Sequence, residues 1–479
     1  MIVLILLILP FIGAILSALA GNKAANKIAL LSTVSTLLLT AKTYYDFTTG
    51  STTSLDYSTQ WLLEPNVTFS LTIDGLTMVM LILTNLLVPI IVLSGLGAVV
   101  QNSRAFYALI LVMQGALNGV FMASDGFAFY VFWELALIPI YFIALLWGAE
   151  NSRKVTLKFF IYTIAGSLFM LISFIILYMV TGDLRIENLT NLSITGIAQK
   201  IVFIGFFLAF AIKVPLIPFH TWQADTYTVA PTQGTMLLSG IMLKMGLYGF
   251  IRWMLPIMPF SVAEFTPIIM TLGVVGVIYG SWIAIQQNNI KRLFAYSSLA
   301  HVGLITAGIF SLNTMGLIGA VVQMFAHGVN VVGLFFAAEI IYRRTGTLDL
   351  NSLGGIRNVA PWFSTYFFIL LLASVGLPLT NAFVGEFMLL FAVWQYNAIL
   401  GIIAALTIIF AAIYLFRMFQ RAMLGQTNTV TANFKDLTIS EHLTFIPLVI
   451  LVFVLGVYPM PIISLVEPVI KQIIQLASI

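Results

Sequence analysis

The chain has 479 residues, of which 61% are hydrophobic and only 8% charged, with a formal net charge of +4. Soluble domains carry roughly a quarter charged residues, so an aqueous fold is excluded. The absence of cysteine excludes thiolate metal sites, iron–sulfur clusters and disulfides within this chain.

Continuous apolar runs of about 20 residues, the length that spans a bilayer, recur along the whole chain. They predict an all-α polytopic membrane protein, since a β-barrel would show short alternating segments. The first run, 2–20, lacks a basic leader and an A-x-A-like cleavage site, and it reads as a retained helix. A second predicted span, 28–45, is followed by a polar Thr/Ser-rich segment, 46–72, read as an external loop with room for short strands. Spans 3 and 4 cover 73–98 and 104–123. Span 5, 126–148, contains FWELALIPIYF, with Glu134 in an apolar run and Pro139 one turn later. Pro139 cannot donate to the Leu135 carbonyl, which leaves that oxygen open beside the glutamate. Span 6 is 156–180. Span 7, 197–220, reads KVPLIPFHTW at its end, with Lys213 directly ahead of Pro215 and Pro218.

Span 8, 231–256, carries Lys244. Span 9 is 264–286, and spans 10 and 11, 292–311 and 315–342, carry His301 and His327. Span 12, 362–392, reads ASVGLPLTNAFVGEF, placing Gly376, Pro378 and Asn381 ahead of Glu386. Spans 13 and 14 are 396–423 and 441–465. His220 and His442 fall at span ends and are read as caps or solvated groups. Asp125, just before span 5, is expected at the external aqueous surface. The remaining aromatics and the 19 methionines are read as packing or lipid-facing residues.

Basic residues set the orientation. Fourteen flank the odd-numbered loops and five the even-numbered ones, with Lys213 and Lys244 inside spans. Odd-numbered loops are therefore expected in the cytoplasm and both termini outside. The basic loop clusters follow this rule and call for no nucleic acid.

Glu134, Lys213, Lys244 and Glu386 stand inside apolar helices. A charge at mid-membrane costs roughly 3 kcal/mol on lenient insertion scales, so each needs a partner, a water-filled cavity or a neutral state. Static ion pairs between helices are the plain alternative. One such clamp would need one pair, whereas two lysines and two carboxylates on four helices suggest a row of proton-carrying sites. His301 and His327 are packing residues or relays, since imidazole exchanges protons near neutral pH. The four histidines show no metal-ligand spacing.

Spans 7 and 12 are both interrupted by Gly or Pro, five helices apart. An odd offset reverses orientation across the membrane, as in inverted repeats. The expected organisation is a single membrane domain, 1–479. It begins with helices 1–3 (1–103) and continues with a first repeat of spans 4–8 (104–256) and an inverted second repeat of spans 9–13 (264–423). A C-terminal helix 14 (441–479) closes it.

FWELALIPIYFIALLWG, LKFFIYTIAGSLFML, KVPLIPFHTW, APTQGTMLLSGIMLKMGLYG, KRLFAYSSLAHVGL and ASVGLPLTNAFVGEF occur in this order. Together they resemble the antiporter-like membrane subunits of respiratory complex I over about residues 75–460. Glu386 in place of lysine, the stop soon after span 14, and KDLTISEHLTFIPLVILVFVLGVYP make the resemblance strongest to the M-type subunits. The resemblance implies a proton-translocating subunit of the membrane arm of an NADH:quinone oxidoreductase, driven by quinone reduction elsewhere in the complex. By the same likeness Glu134 and Lys213 form a coupled pair, Lys244 is the central lysine, His301 and His327 continue the axis, and Glu386 ends it. It implies no redox centre or cofactor in this chain, with flavin, iron–sulfur clusters and quinone in partner subunits. L-type and N-type neighbours on either side, lipid contact and a bacterial inner-membrane location, with both termini periplasmic, are also implied. One departure stands out. QADTYTVAP places Tyr227 and Val229 where the family carries a histidine and a glutamate, so the resemblance does not extend to that loop. The alternative reading is a D-type subunit of a multi-subunit Na+/H+ (Mrp-type) antiporter.

Overall fold

In lipid every backbone N–H and C=O must be satisfied within its own segment, which forces long apolar runs into helices. A computed structural model of the chain describes residues 1–50, 55–63, 66–96, 100–190 and 196–477. Among these residues, 13 helices are long and apolar enough to cross a membrane. Parts of the predicted external loop, 51–54 and 64–65, and the end of predicted span 3 lie outside the described residues.

The predicted spans fall on helices, with three differences. Span 7 stops as a helix at Lys213 (Gly196–Lys213), and a short helix, Gln223–Val229, precedes the next span. Span 12 is two half-helices, Pro361–Val375 and Asn381–Tyr396. The C-terminal segment expected as one helix is two, Ile439–Val457 and Met460–Ala477. Pro459 has no N–H for the preceding turn, and the helix Ile439–Val457 ends just before it. The polar segment 46–72 does contain strands: β1 (Asp56–Leu62) pairs antiparallel with β2 (Val67–Thr72).

The chain forms two compact units. The first comprises Met1–Val214, Ile241–Thr266 and Ser464–Ile479, and the second Pro215–Gly240 and Pro267–Ile463. The expected first repeat falls in the first unit except for its Pro215–Gly240 stretch, and the second repeat (264–423) falls in the second unit from Pro267 onward.

Within the first unit, buried amides join helices that hydrophobicity alone would leave free to slide. Gln114 Nε2 donates to Asn85 Oδ1 at 2.9 Å, and Asn85 Nδ2 donates to Thr40 Oγ1 at 2.9 Å. Such interhelical bonds are worth about 0.6–2 kcal/mol in a membrane.

Asp125 departs from its expected place in water, being only 1% exposed. Its side chain caps the Glu134 helix (Gly126–Trp147), accepting from the Phe127 and Ala128 amides at 2.8 and 3.2 Å. Burial pushes its carboxyl up to about 6, against the lowering effect of those amides. Asp125→Asn keeps the cap, whereas Asp125→Ala is expected to lose about 1 kcal/mol of stability. Thermal unfolding of the two purified variants distinguishes these effects, and equal midpoints would remove the capping role.

Candidate functional site

Three of the six predicted site residues, Lys213, Lys244 and Glu386, lie at a helix end, between π-turns or after a helix break. In the first unit, Lys213 is the last residue of its helix and only 3% exposed. Its Nζ has no hydrogen-bond partner and lies 5.3 Å from the centroid of the Trp133 ring. A desolvated ammonium over an indole face gains about 2 kcal/mol. Trp133 sits beside Glu134 in sequence, and the Glu134 charge acts on Lys213. Glu134 Oε1 is buried with no hydrogen-bond partner. The two groups feel each other without a hydrogen bond at Lys213 Nζ. Phe129 and Phe210 pack on Trp133, and Trp253 and Phe174 pack on in turn, with Phe129–Trp253 and Trp133–Phe210 ring centroids 5.0 and 5.6 Å apart. These aromatics pack as the sequence reading expects, and Trp133 is the one that reaches Lys213.

Lys244 is fully buried. It sits in the α-helical stretch Leu243–Gly249, between π-helical turns at Leu238–Met242 and Phe250–Met254. A π-turn inserts an extra residue and frees backbone groups, and such turns are frequent at functional sites. Gly246 and Gly249 allow this stretch to lie against the Lys213 helix. A Cβ at Gly246 would stand 3.0 Å from the Phe210 carbonyl oxygen and 3.2 Å from Lys213 Cβ. The π-turns were not legible in the sequence.

In the second unit, His301, His327 and Glu386 converge. His301 Nδ1 lies 3.2 Å from Glu386 Oε1, in reach but without hydrogen-bond alignment. The His301 and His327 rings have centroids 5.8 Å apart. Gln323 Nε2 donates to Glu386 Oε1 at 3.1 Å. A cavity of about 20 Å³, lined among others by Ser298, His301, Gln323, His327 and Asn330, opens beside them. That is space for about one water. Ser298 Oγ, Gln323 Oε1 and Asn330 Oδ1 are buried without a partner, and a water in the cavity would satisfy such groups. Gln323 and Asn330 were missed. Buried amides carry no formal charge, so nothing marked them in the sequence.

The broken span positions the carboxylate. Gly376 ends the half-helix Pro361–Val375 at φ +76°, a left-handed conformation suited to glycine. A Cβ on Gly376 would overlap Glu386 Oε2. Gly385, one residue before the glutamate, leaves no room for a side chain against Gln323.

The departing loop is packed into the second unit. Tyr227 is fully buried with its ring 6.0 Å from that of Phe335, and Asp225 pairs with Arg292 at 3.1 Å. Lys291, next to Arg292, is buried and donates to the Ala230 carbonyl at 3.0 Å.

Residues 123–413 match the family described as NADH:quinone oxidoreductase/Mrp antiporter, transmembrane. The NADH-quinone oxidoreductase subunit M of Rickettsia prowazekii is 36% identical over 468 residues, covering 96% of this chain and 95% of that protein. The chain belongs to the subunit M family of NADH-quinone oxidoreductase. A solved structure of respiratory complex I from Thermus thermophilus contains a chain 28% identical, with a TM-score of 0.92 and full coverage of both chains. A chain of the Mrp complex from Dietzia shares the fold at a TM-score of 0.86 with 17% identity, covering 99% of this chain and 98% of that one. Membership in subunit M agrees with the M-type resemblance of the sequence.

Proposed function

We propose that this subunit moves protons across the membrane through two buried clusters, Glu134–Lys213–Lys244 in the first unit and His301–His327–Glu386 in the second. The observation that carries this reading is the state of Glu134 and Lys213. Lys213 is buried, Glu134 is half-buried with its Oε1 enclosed, and the Glu134 charge acts on Lys213 without a hydrogen bond to its Nζ. A clamp would close that gap with a hydrogen-bonded pair, whereas a carrier must exchange its proton with mobile water. The proposed drive is electrostatic. When a neighbouring subunit draws the Glu134 charge away, Lys213 loses its counter-charge and releases a proton, which Lys244 receives.

Electron transfer, with flavin, iron–sulfur clusters and quinone, belongs to partner subunits in this reading. L-type and N-type subunits flank the chain, which lies in a bacterial inner membrane with both termini on the periplasmic side. The fourteen-to-five distribution of basic residues supports that orientation. The Mrp-type alternative shares the family match, while the relatives at 36% identity over nearly the whole chain are subunits M.

Glu134→Gln tests the reading. In the complete complex, reconstituted into sealed vesicles, proton uptake driven by quinone reduction is expected to fall severalfold while the complex still assembles. Wild-type proton uptake in that variant would reject the role of the pair.

A further inference from the structure

A groove of about 480 Å³ opens on the second unit between the half-helix Pro361–Val375 and the helix Ala398–Met423. Phe368 and Phe416, one from each helix, are 37% and 40% exposed, with ring centroids 6.4 Å apart. Ile369 and Phe419 line the groove with them. Phe368 lies seven residues into the half-helix, and Phe416 seven residues before the end of the other helix. At 1.5 Å per residue both stand about 10 Å inward from those helix ends, within the ~15 Å of hydrocarbon in one leaflet. Trp362, 60% exposed, marks the first turn of the half-helix, a depth suited to an indole at the membrane interface.

Arg357 lines the same groove from the short turn Ile356–Val359, just ahead of the half-helix. It is exposed and makes no ion pair or hydrogen bond among the described residues. Its basic neighbours are engaged: Arg343 with Glu339, Arg344 with Glu441, Arg417 with the Ile285 carbonyl and Arg421 with Asn288. The turn that carries Arg357 is pinned on either side of it. The Gly355 amide donates to the Leu424 carbonyl at 2.9 Å, and Asn358 Nδ2 donates to the Gly425 carbonyl at 3.0 Å. Among the described lining residues Arg357 is the one charged side chain, with no carboxylate beside it. A solvated loop cation accounts for the arginine alone, and lipid-facing roughness accounts for the groove alone. Neither accounts for an unpaired guanidinium whose backbone is fixed at the end of an apolar groove.

We propose that this groove binds an anionic phospholipid of the adjacent leaflet, with the phosphate on Arg357 and one acyl chain between Phe368 and Phe416. The charge rule assigns that leaflet to the cytoplasmic side, where basic pockets between membrane helices suit anionic headgroups. The guanidinium fork matches two phosphate oxygens, and the Gln420 amide on the facing helix end supplies a further donor. A zwitterionic headgroup also carries a phosphate, but its cationic half finds no carboxylate in the lining. The groove contains none of the proton-carrying residues, so the proposal stands or falls separately from their role.

The test places the complete complex in nanodiscs of equal parts phosphatidylglycerol and phosphatidylcholine. A trace of either lipid carries a diazirine on its acyl chain, and the adducts formed on illumination are mapped by mass spectrometry. Peptides containing Phe368 and Phe416 are expected to take about fivefold more adduct from phosphatidylglycerol, the weight of one basic side chain at an anionic surface. Arg357→Gln is expected to abolish that preference, and Arg357→Lys to keep most of it. Ile369→Trp, which fills the groove and leaves the arginine, is expected to lower labelling by both lipids. Equal labelling by the two lipids in the wild type, or an undiminished preference in Arg357→Gln, overturns the headgroup site. Unchanged labelling in Ile369→Trp overturns the placing of the chain. Wild-type peptides free of lipid adduct, because another subunit covers the groove, overturn the proposal as a whole.

Discussion

Lys244→Met in the assembled complex is expected to cut proton pumping by about a hundredfold, the scale of removing a positioned proton donor or acceptor. Methionine matches the length of the aliphatic stem and repacks well in tight apolar surroundings, so the fold is expected to survive. Lys244 is fully buried and lies in an α-helical stretch bounded by two π-turns. Gly246 and Gly249 press that stretch against the Lys213 helix. A buried ammonium costs several kcal/mol even after relaxation, and packing alone would be better served by the methionine. Pumping is read from a pH-sensitive dye inside the vesicles, alongside quinone reduction. A rate above half of wild type would remove Lys244 from the path.

Gly376→Ala is expected to destabilise the second unit and displace Glu386 at once. The left-handed conformation costs a non-glycine residue about 1–2 kcal/mol, and the added Cβ overlaps the Glu386 carboxylate. Gly376→Asn separates the two effects, because asparagine tolerates left-handed φ while its Cβ meets the same oxygen. Both variants are expected to lose pumping, and Gly376→Ala is expected to melt at the lower temperature. Normal pumping in both would mean that the glutamate needs no fixed position.

The parts of this architecture that composition dictates were legible in the sequence. Long apolar runs with few charges cannot fold otherwise in lipid, so the spans fell close to their helices. Glu134, Lys213, Lys244 and Glu386 were visible because each breaks an apolar run. What stayed hidden depends on shape or on uncharged groups. The π-turns around Lys244 leave no mark in residue type. Gln323 and Asn330 read as ordinary polar residues until burial shows them unsatisfied. Asp125 looked like a surface residue because a capping aspartate has the same composition as a solvated one. The split at Pro459 was overlooked because the apolar character runs on through VYPMPIISLV. The Asp74–Arg252 pair joins residues 178 positions apart, a separation that no local pattern encodes.

The central claim is that both buried clusters carry protons. It is tested most directly by the number of protons translocated per quinone reduced, measured in sealed vesicles for Lys213→Met and Glu386→Gln separately. The account predicts a lower ratio in each variant, with assembly of the complex intact. A wild-type ratio in either one would contradict it for the unit that carries that residue.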